Sequence, residues 1–344
     1  MGKAQEQIMN NEIKFSIPGK IVISGEYAVL DGAPAIVSAL NQRANIKIQK
    51  IDKQHNIFLT SAIDGIFPFI IDDDFNIVWL DSDPGAFGLV LQCAINILEI
   101  KFKEKFCIDV NSSEFFQTTQ DGKVQKLGIG SSAAVSVGII QALTQHYGIS
   151  SSENLLKQAN SIHQNLQGKQ GSGIDVVCAF ADQGVIECTK DSVKNHTWSI
   201  LNWPHGLYLK VLTTNQGAPT KTLVANYQNA RSLYSKEFKV VLEQFMEITK
   251  SLSTAWRSEN VDLIIDLLSS YDGHIKKIDK IGNIGIYTQL HINLQKIASR
   301  HNIFYKPSGA GGGDIGLAFS SSLGELNDFL NEISKVGWNI GYLE

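Results

Sequence analysis

Apolar residues in the first fifty positions arrive in short β-branched bursts, IKFSIPGKIVISG from Ile13 and NQRANIKIQKID from Asn41. This pattern predicts strands punctuated by turns at Pro18-Gly19-Lys20 and Asp31-Gly32-Ala33-Pro34. Helical spacing takes over from Asp81 to Lys101, after an Asp, Pro and Gly start, and again over 131–146 and 152–166. After Asp175 the run VVCAFADQGVIECT predicts a return to strand, and LYLKVLTT from Leu207 predicts another. Amphipathic stretches over 220–268 and 283–299 predict helices, and PSGAGGGDIGLAFS from Pro307 predicts a glycine turn into a strand, followed by a helix over 323–336. Strands and helices mix without strict alternation, which predicts an α+β fold with two lobes, 1–203 and 204–344, meeting near Pro204.

With 344 residues, 43% hydrophobic and 19% charged, the chain has the make-up of a folded globular protein. Its net charge of −4 supplies no diffuse positive field to gather nucleic acid or an acidic membrane surface, so any phosphate site must be local. The expected partner is a small molecule, with no nucleic acid and no membrane, and the expected assembly is a monomer or homodimer. Cys93, Cys107, Cys178 and Cys188 form no CxxC pair, which predicts reduced thiols and a cytoplasmic location. The polar start MGKAQEQIMNNE has no apolar signal-peptide core, and Glu6 stands where a myristoylation motif needs Ser or Thr.

The sharpest chemical signal is Gly128-Ile129-Gly130-Ser131-Ser132-Ala133, set just before a small-residue apolar helix. Glycines permit close backbone approach, and the free amides of a helix N-terminus attract anions. The same residues also read as a glycine turn with a serine cap. No Gly-Lys-Ser/Thr follows, so this is not the P-loop. Pro18-Gly19-Lys20 with Gly25-Glu26-Tyr27 lies before it, and Ser308-Gly309-Ala310-Gly311-Gly312-Gly313-Asp314 after it. In Gly171-Ser172-Gly173-Ile174-Asp175, the carboxylate after a tight turn suits an acceptor-orienting or proton-accepting role, or a helix cap. The eight histidines show no paired ligand spacing, and His163 reads as a packing residue. Asp72-Asp73-Asp74 reads as a solvated turn, and Trp79 and Phe87 as core aromatics rather than adenine contacts.

Three glycine motifs in this order, spread over nearly the whole chain, resemble the GHMP kinase superfamily, within which PGKIVISGEYAVL is similar to the mevalonate and phosphomevalonate kinase branch. Tyr27 in GEY, Asp314 in GAGGGD, and Lys123 and Lys126 before the glycine loop lean toward phosphomevalonate kinases. The resemblance implies a two-lobed GHMP kinase fold, with an N-terminal lobe like domain 2 of ribosomal protein S5 and a ferredoxin-like C-terminal lobe. It implies ATP and Mg²⁺ as cofactors and phosphomevalonate as the acceptor, with mevalonate as the alternative. Lys20 and Asp175 become the implied catalytic pair. Lys126, Gly128, Gly130, Ser131, Ser132 and Ala133 become the implied phosphate site, with Ser131 and Ser132 also toward the metal. Lys20, Tyr27, Lys123, Ser172, Thr220, Lys221, Ser308, Gly309 and Ala310 are implied around the acceptor, and Thr220 reads equally as a helix cap. The sequence departs from mevalonate kinases in one respect, for the stretch before Asp175, His163-Gln164-Asn165-Leu166-Gln167, lacks their metal-binding Glu. A non-catalytic sensor with this fold and a mevalonate-diphosphate decarboxylase are the remaining readings; Lys20, Ser131 and Asp175 speak against the first, PGK and GEY against the second.

Overall fold

The first strand runs unbroken from Ile13 to Ser24, so Pro18-Gly19-Lys20 is not the turn that its composition predicts. Pro18 pairs with Arg43 and Lys20 with Ala39, and the register slips between them. A bulge accommodates a residue with no amide hydrogen inside a ladder, which is why the proline does not end the strand. The chain is described here from a computed structural model that covers residues 12–99, 102–118, 122, 124–149, 152–167, 171–214, 220–338 and 340–343.

The second strand, Ala35–Lys50, is the spine of an eight-stranded sheet. Along one edge it pairs with the first strand. Along the other it pairs with Val185–Cys188 at its start and Phe106–Asn111 at its end. Asn56–Thr60 joins Phe106–Asn111 in parallel, and two short antiparallel strands extend the sheet to Ile77–Trp79. A second, four-stranded antiparallel sheet runs Phe304–Pro307, Ile315–Ser320, Tyr208–Thr213, Gly341–Leu343. Its helical cover is Gln289–Arg300 and Leu323–Lys335, whose Leu294, Ile297, Leu326 and Phe329 pack on Leu212, Tyr305 and Ala318. One apolar core passes from the first sheet to Val211, Trp256 and Ile315, so burial is continuous across both sheets.

Helices 131–146 and 152–167 fall where the spacing predicts them. The helix expected from Asp81 starts only at Leu89, because Asp83 accepts from the Gly85 amide at 2.7 Å and holds the preceding residues in a turn. Between Asp175 and Cys188 the prediction needs correcting, since Ile174–Ala181 is a helix and only Val185–Cys188 is strand. Val176, Val177 and Cys178 are all fully buried, and an apolar run enclosed on every side carries no period that separates helix from strand. The stretch 220–268 is divided among three helices, Thr220–Leu233, Ser235–Arg257 and Val261–Gly282, the last capped by the Asn260 side chain accepting from the Leu263 amide. The stretch predicted helical from Asn283 begins its helix only at Gln289, because the Asp279 carboxylate accepts from the amides of Gly285, Ile286 and Tyr287 and fixes a loop there. Trp79 packs against Phe58, Phe67 and Phe69, as a core aromatic should, whereas Phe87 is exposed and not core. The four cysteines are free thiols, and no helix among the described residues is long and apolar enough to cross a membrane.

Candidate active site

The bulge in the first strand aims Lys20 into a cleft of about 480 Å³ between the three glycine motifs. The Lys20 amide donates to the Ile129 carbonyl at 2.8 Å, which fastens the glycine loop to the strand. Lys20 is 8% exposed, and its Nζ lies 3.3 Å from Oδ1 of Asp175, in the first turn of the helix Ile174–Ala181. A partly desolvated ion pair at the mouth of a helix fixes both groups in direction and register.

Gly130 precedes the helix Ser131–His146 with φ +89°. A Cβ there would meet Lys20 Cγ at 3.2 Å and Cε at 3.3 Å, so the absence of a side chain lets the lysine lie across the helix N-terminus. Gly128, at φ +71°, is more crowded, for its Cβ would stand 2.6 Å from Oδ2 of Asp314. Ser131 and Ser132 open the helix and line the cleft, their neighbouring amides left without intrahelical partners. Hard hydroxyl and carboxylate oxygens with room for water and ligand oxygens fit Mg²⁺. Among the described residues no group of three His, Cys, Asp or Glu forms a protein cage for an ion.

The third glycine motif is stitched to the first. Ser308 Oγ accepts from the Val22 amide and donates to the Val22 carbonyl, both at 3.0 Å, and Tyr27 Oη donates to the Ala310 carbonyl at 2.6 Å. Beneath them lies the ion pair of Glu26 with Lys306, in which the residues are 5% and 2% exposed. Burial pushes the Glu26 carboxyl up against the pull of Lys306. Tyr271 Oη donates to the Glu26 carbonyl at 2.5 Å, and the Gly312 amide donates to Ile286 in the loop that Asp279 holds.

The cleft therefore gathers Lys20, Tyr27, Lys126, Gly128, Gly130, Ser131, Ser132, Ser172, Asp175, Thr220, Ser308, Gly309 and Ala310, from motifs up to 290 positions apart in sequence. Ala133 is buried as the third residue of the helix and does not line the cleft, and Lys221 is exposed and does not line it either. Lys123 and residues 215–219 lie outside the described residues. Sequence reasoning missed Glu26 and Asp314 as wall residues in their own right, although both sit inside the glycine motifs. It also placed His163 only in packing; the imidazole is 5% exposed, bonded to Gln167 at 3.0 Å, and lines the cleft. Burial pushes His163 down, and Asp175 opposes that shift. Loss of hydration likewise pushes the Lys126 ammonium down, with Asp314 and Asp175 pulling it back.

A lysine-carboxylate pair beside a glycine-loop helix N-terminus has the chemistry that phosphoryl transfer calls for. Residues 90–183 match the family described as the GHMP kinases N terminal domain. The chain has that family's fold. It is similar to a phosphomevalonate kinase of Streptomyces sp. (strain CL190), 26% identical over 333 residues and covering 88% of each chain. It is also similar to a mevalonate kinase of Pyrococcus furiosus, 25% identical, covering 87% of this chain and 86% of the relative. A solved Streptococcus pneumoniae phosphomevalonate kinase in complex with phosphomevalonate and AMPPNP shares the fold, with a TM-score of 0.75 at 21% identity over 96% of this chain and 98% of that one.

Proposed function

We propose that the protein transfers the terminal phosphoryl group of ATP to 5-phosphomevalonate, giving 5-diphosphomevalonate and ADP in the mevalonate pathway. The observation that carries the reading is the Lys20–Asp175 pair, 3.3 Å apart and directly over the helix N-terminus at Ser131. The glycine loop and the Ser131 and Ser132 amides hold the nucleotide's phosphates. The hydroxyls of Ser131 and Ser132, with water and phosphate oxygens, would hold Mg²⁺, which neutralises charge on the transferring group. Lys126 at the cleft wall supplies the positive charge that an already phosphorylated acceptor needs, and Tyr27, Ser172, Thr220 and the third glycine loop close around it. Acceptor phosphate is already anionic at neutral pH, so the chain's task is alignment and charge stabilisation rather than proton removal. A γ-phosphorus to oxygen bond forms to the acceptor as the bond to the β-phosphate oxygen breaks. A division into lobes near Pro204 is supported by the strands, since the first sheet ends at Leu201 and the second begins at Tyr208.

Mevalonate is the second acceptor, favoured by the similarity to the Pyrococcus enzyme. Coupled ADP-release assays with both acceptors side by side should give the higher kcat/KM for phosphomevalonate; a higher value for mevalonate reverses the choice. Gly130→Ala is expected to displace Lys20 and strain the loop, and should lower turnover by about tenfold or more while circular dichroism stays native. Unaltered turnover in this variant would detach the loop from the reaction.

A further inference from the structure

Asp314 is an acid standing where the cleft is built to receive an anion. It ends the third glycine motif, and its carbonyl accepts from the Thr214 amide at 3.1 Å, which anchors it to the second sheet. Its side chain lies against the other lobe's glycine loop, since a Cβ on Gly128 would meet its Oδ2 at 2.6 Å and its own Cβ at 2.7 Å. Lys126, from the strand Val124–Lys126, and Lys20, from the first strand, are the charged groups that face it. The Gly128 and Thr214 backbones bring it no charge. Asp175 acts on Lys126 and pairs with Lys20, and Glu26 is already paired with Lys306.

We propose that Asp314 is a specificity-determining residue, an internal carboxylate that lies where a ligand's phosphate oxygens meet the glycine loop and competes with them for Lys126 and Lys20. The proposal rests on the phosphate-binding reading of the cleft. In the free protein the carboxylate offsets the two lysines, so a lone inorganic phosphate, without the further contacts that hold the rest of an acceptor or nucleotide, gains little. A polyphosphate brings more charge than one carboxylate and displaces it. Like charges held close in a poorly hydrated cleft repel, so each bound phosphate raises the cost of keeping Asp314 ionised. Burial already pushes this carboxyl up to about 6, with Lys126 and Lys20 opposing.

The test compares inorganic pyrophosphate and inorganic phosphate binding by calorimetry in the parent, Asp314→Asn, and Asp314→Asn with Lys126→Ala. At pH 7.5 Asp314→Asn should bind both anions more tightly, inorganic phosphate by about tenfold and by the larger factor of the two. The gain should shrink at pH 5.5, where the parent carboxyl is largely protonated, and shrink again in the Lys126→Ala background. Thermal melting keeps the result independent of folding. A carboxyl whose native pKa exceeds its unfolded value costs stability once it ionises, so the Asn variant should melt a few degrees higher at pH 7.5 and level with the parent near pH 4. Weaker or unchanged anion binding by Asp314→Asn overturns the proposal, because it makes Asp314 a support for Lys126 or a bystander. If the parent binds pyrophosphate with an affinity that Lys20→Met and Lys126→Ala leave untouched, the phosphate-binding reading itself fails.

Discussion

Lys20→Met should lower kcat by roughly 10²–10³-fold while nucleotide affinity stays within a few-fold. Methionine keeps the length and apolar stem of lysine, so the packing against Gly130 survives and only the ammonium is lost. That ammonium is the group aligned by Asp175 at 3.3 Å, and its charge counts most when the phosphoryl group is in flight between two anionic oxygens. The partner variant, Asp175→Asn, reads the acceptor. With phosphomevalonate there is no proton to remove, so Asn should cost much less than Lys20→Met; with mevalonate the hydroxyl proton has lost its acceptor, and activity should nearly vanish. Single-turnover rates with both acceptors, alongside nucleotide binding by fluorescence, separate these outcomes. A Lys20→Met enzyme with full turnover would move the reacting centre elsewhere.

Lys306→Met should destabilise the protein by about 3–5 kcal/mol, the largest stability effect expected of a single substitution here. It leaves Glu26, 5% exposed, as a buried carboxylate whose Oε2 already has no hydrogen-bond partner. Glu26→Gln should also cost stability, since it strands the Lys306 ammonium at 2% exposure. The double variant should recover much of the loss, because a neutral amide beside a thioether needs no counter-charge. Urea unfolding of the four proteins measures the coupling. Strictly additive single losses would show that the two side chains do not depend on each other.

The glycine motifs were legible in the sequence because φ and close approach leave glycine few substitutes, and Gly128 and Gly130 sit at +71° and +89°. Lys20 of the Pro18-Gly19-Lys20 motif does line the cleft, but the motif lies in a strand and not in the turn that its composition predicts. Composition alone does not distinguish a turn from a bulge when the strand's partner, Ala35–Lys50, supplies the ladder on both sides. The helix at Ile174–Ala181 escaped because its period is erased by burial on all faces, although the Asp175 that it carries was found from its Ser-Gly setting. Glu26 and Lys306 pair across 280 positions, and no local pattern announces such a partner. His163 was placed in packing because a lone histidine on an amphipathic helix gives no sign of which neighbours it meets; here it meets Gln167 and the cleft.

The stitching of the first and third glycine motifs also orders events during synthesis. The Val22–Ser308, Tyr27–Ala310 and Glu26–Lys306 links close loops of 286, 283 and 280 positions, among the longest that this chain permits. A ribosome releases the residues at 304–343 after those of the first sheet, so the glycine-loop helix and its sheet can form while the cleft still lacks a wall. Until then Glu26 faces water instead of its counter-charge, and the emerging N-terminal half has no finished cleft. The cleft is thus completed in one late step, when the strands from 304 onward dock and motifs some 280 positions apart meet around the same space.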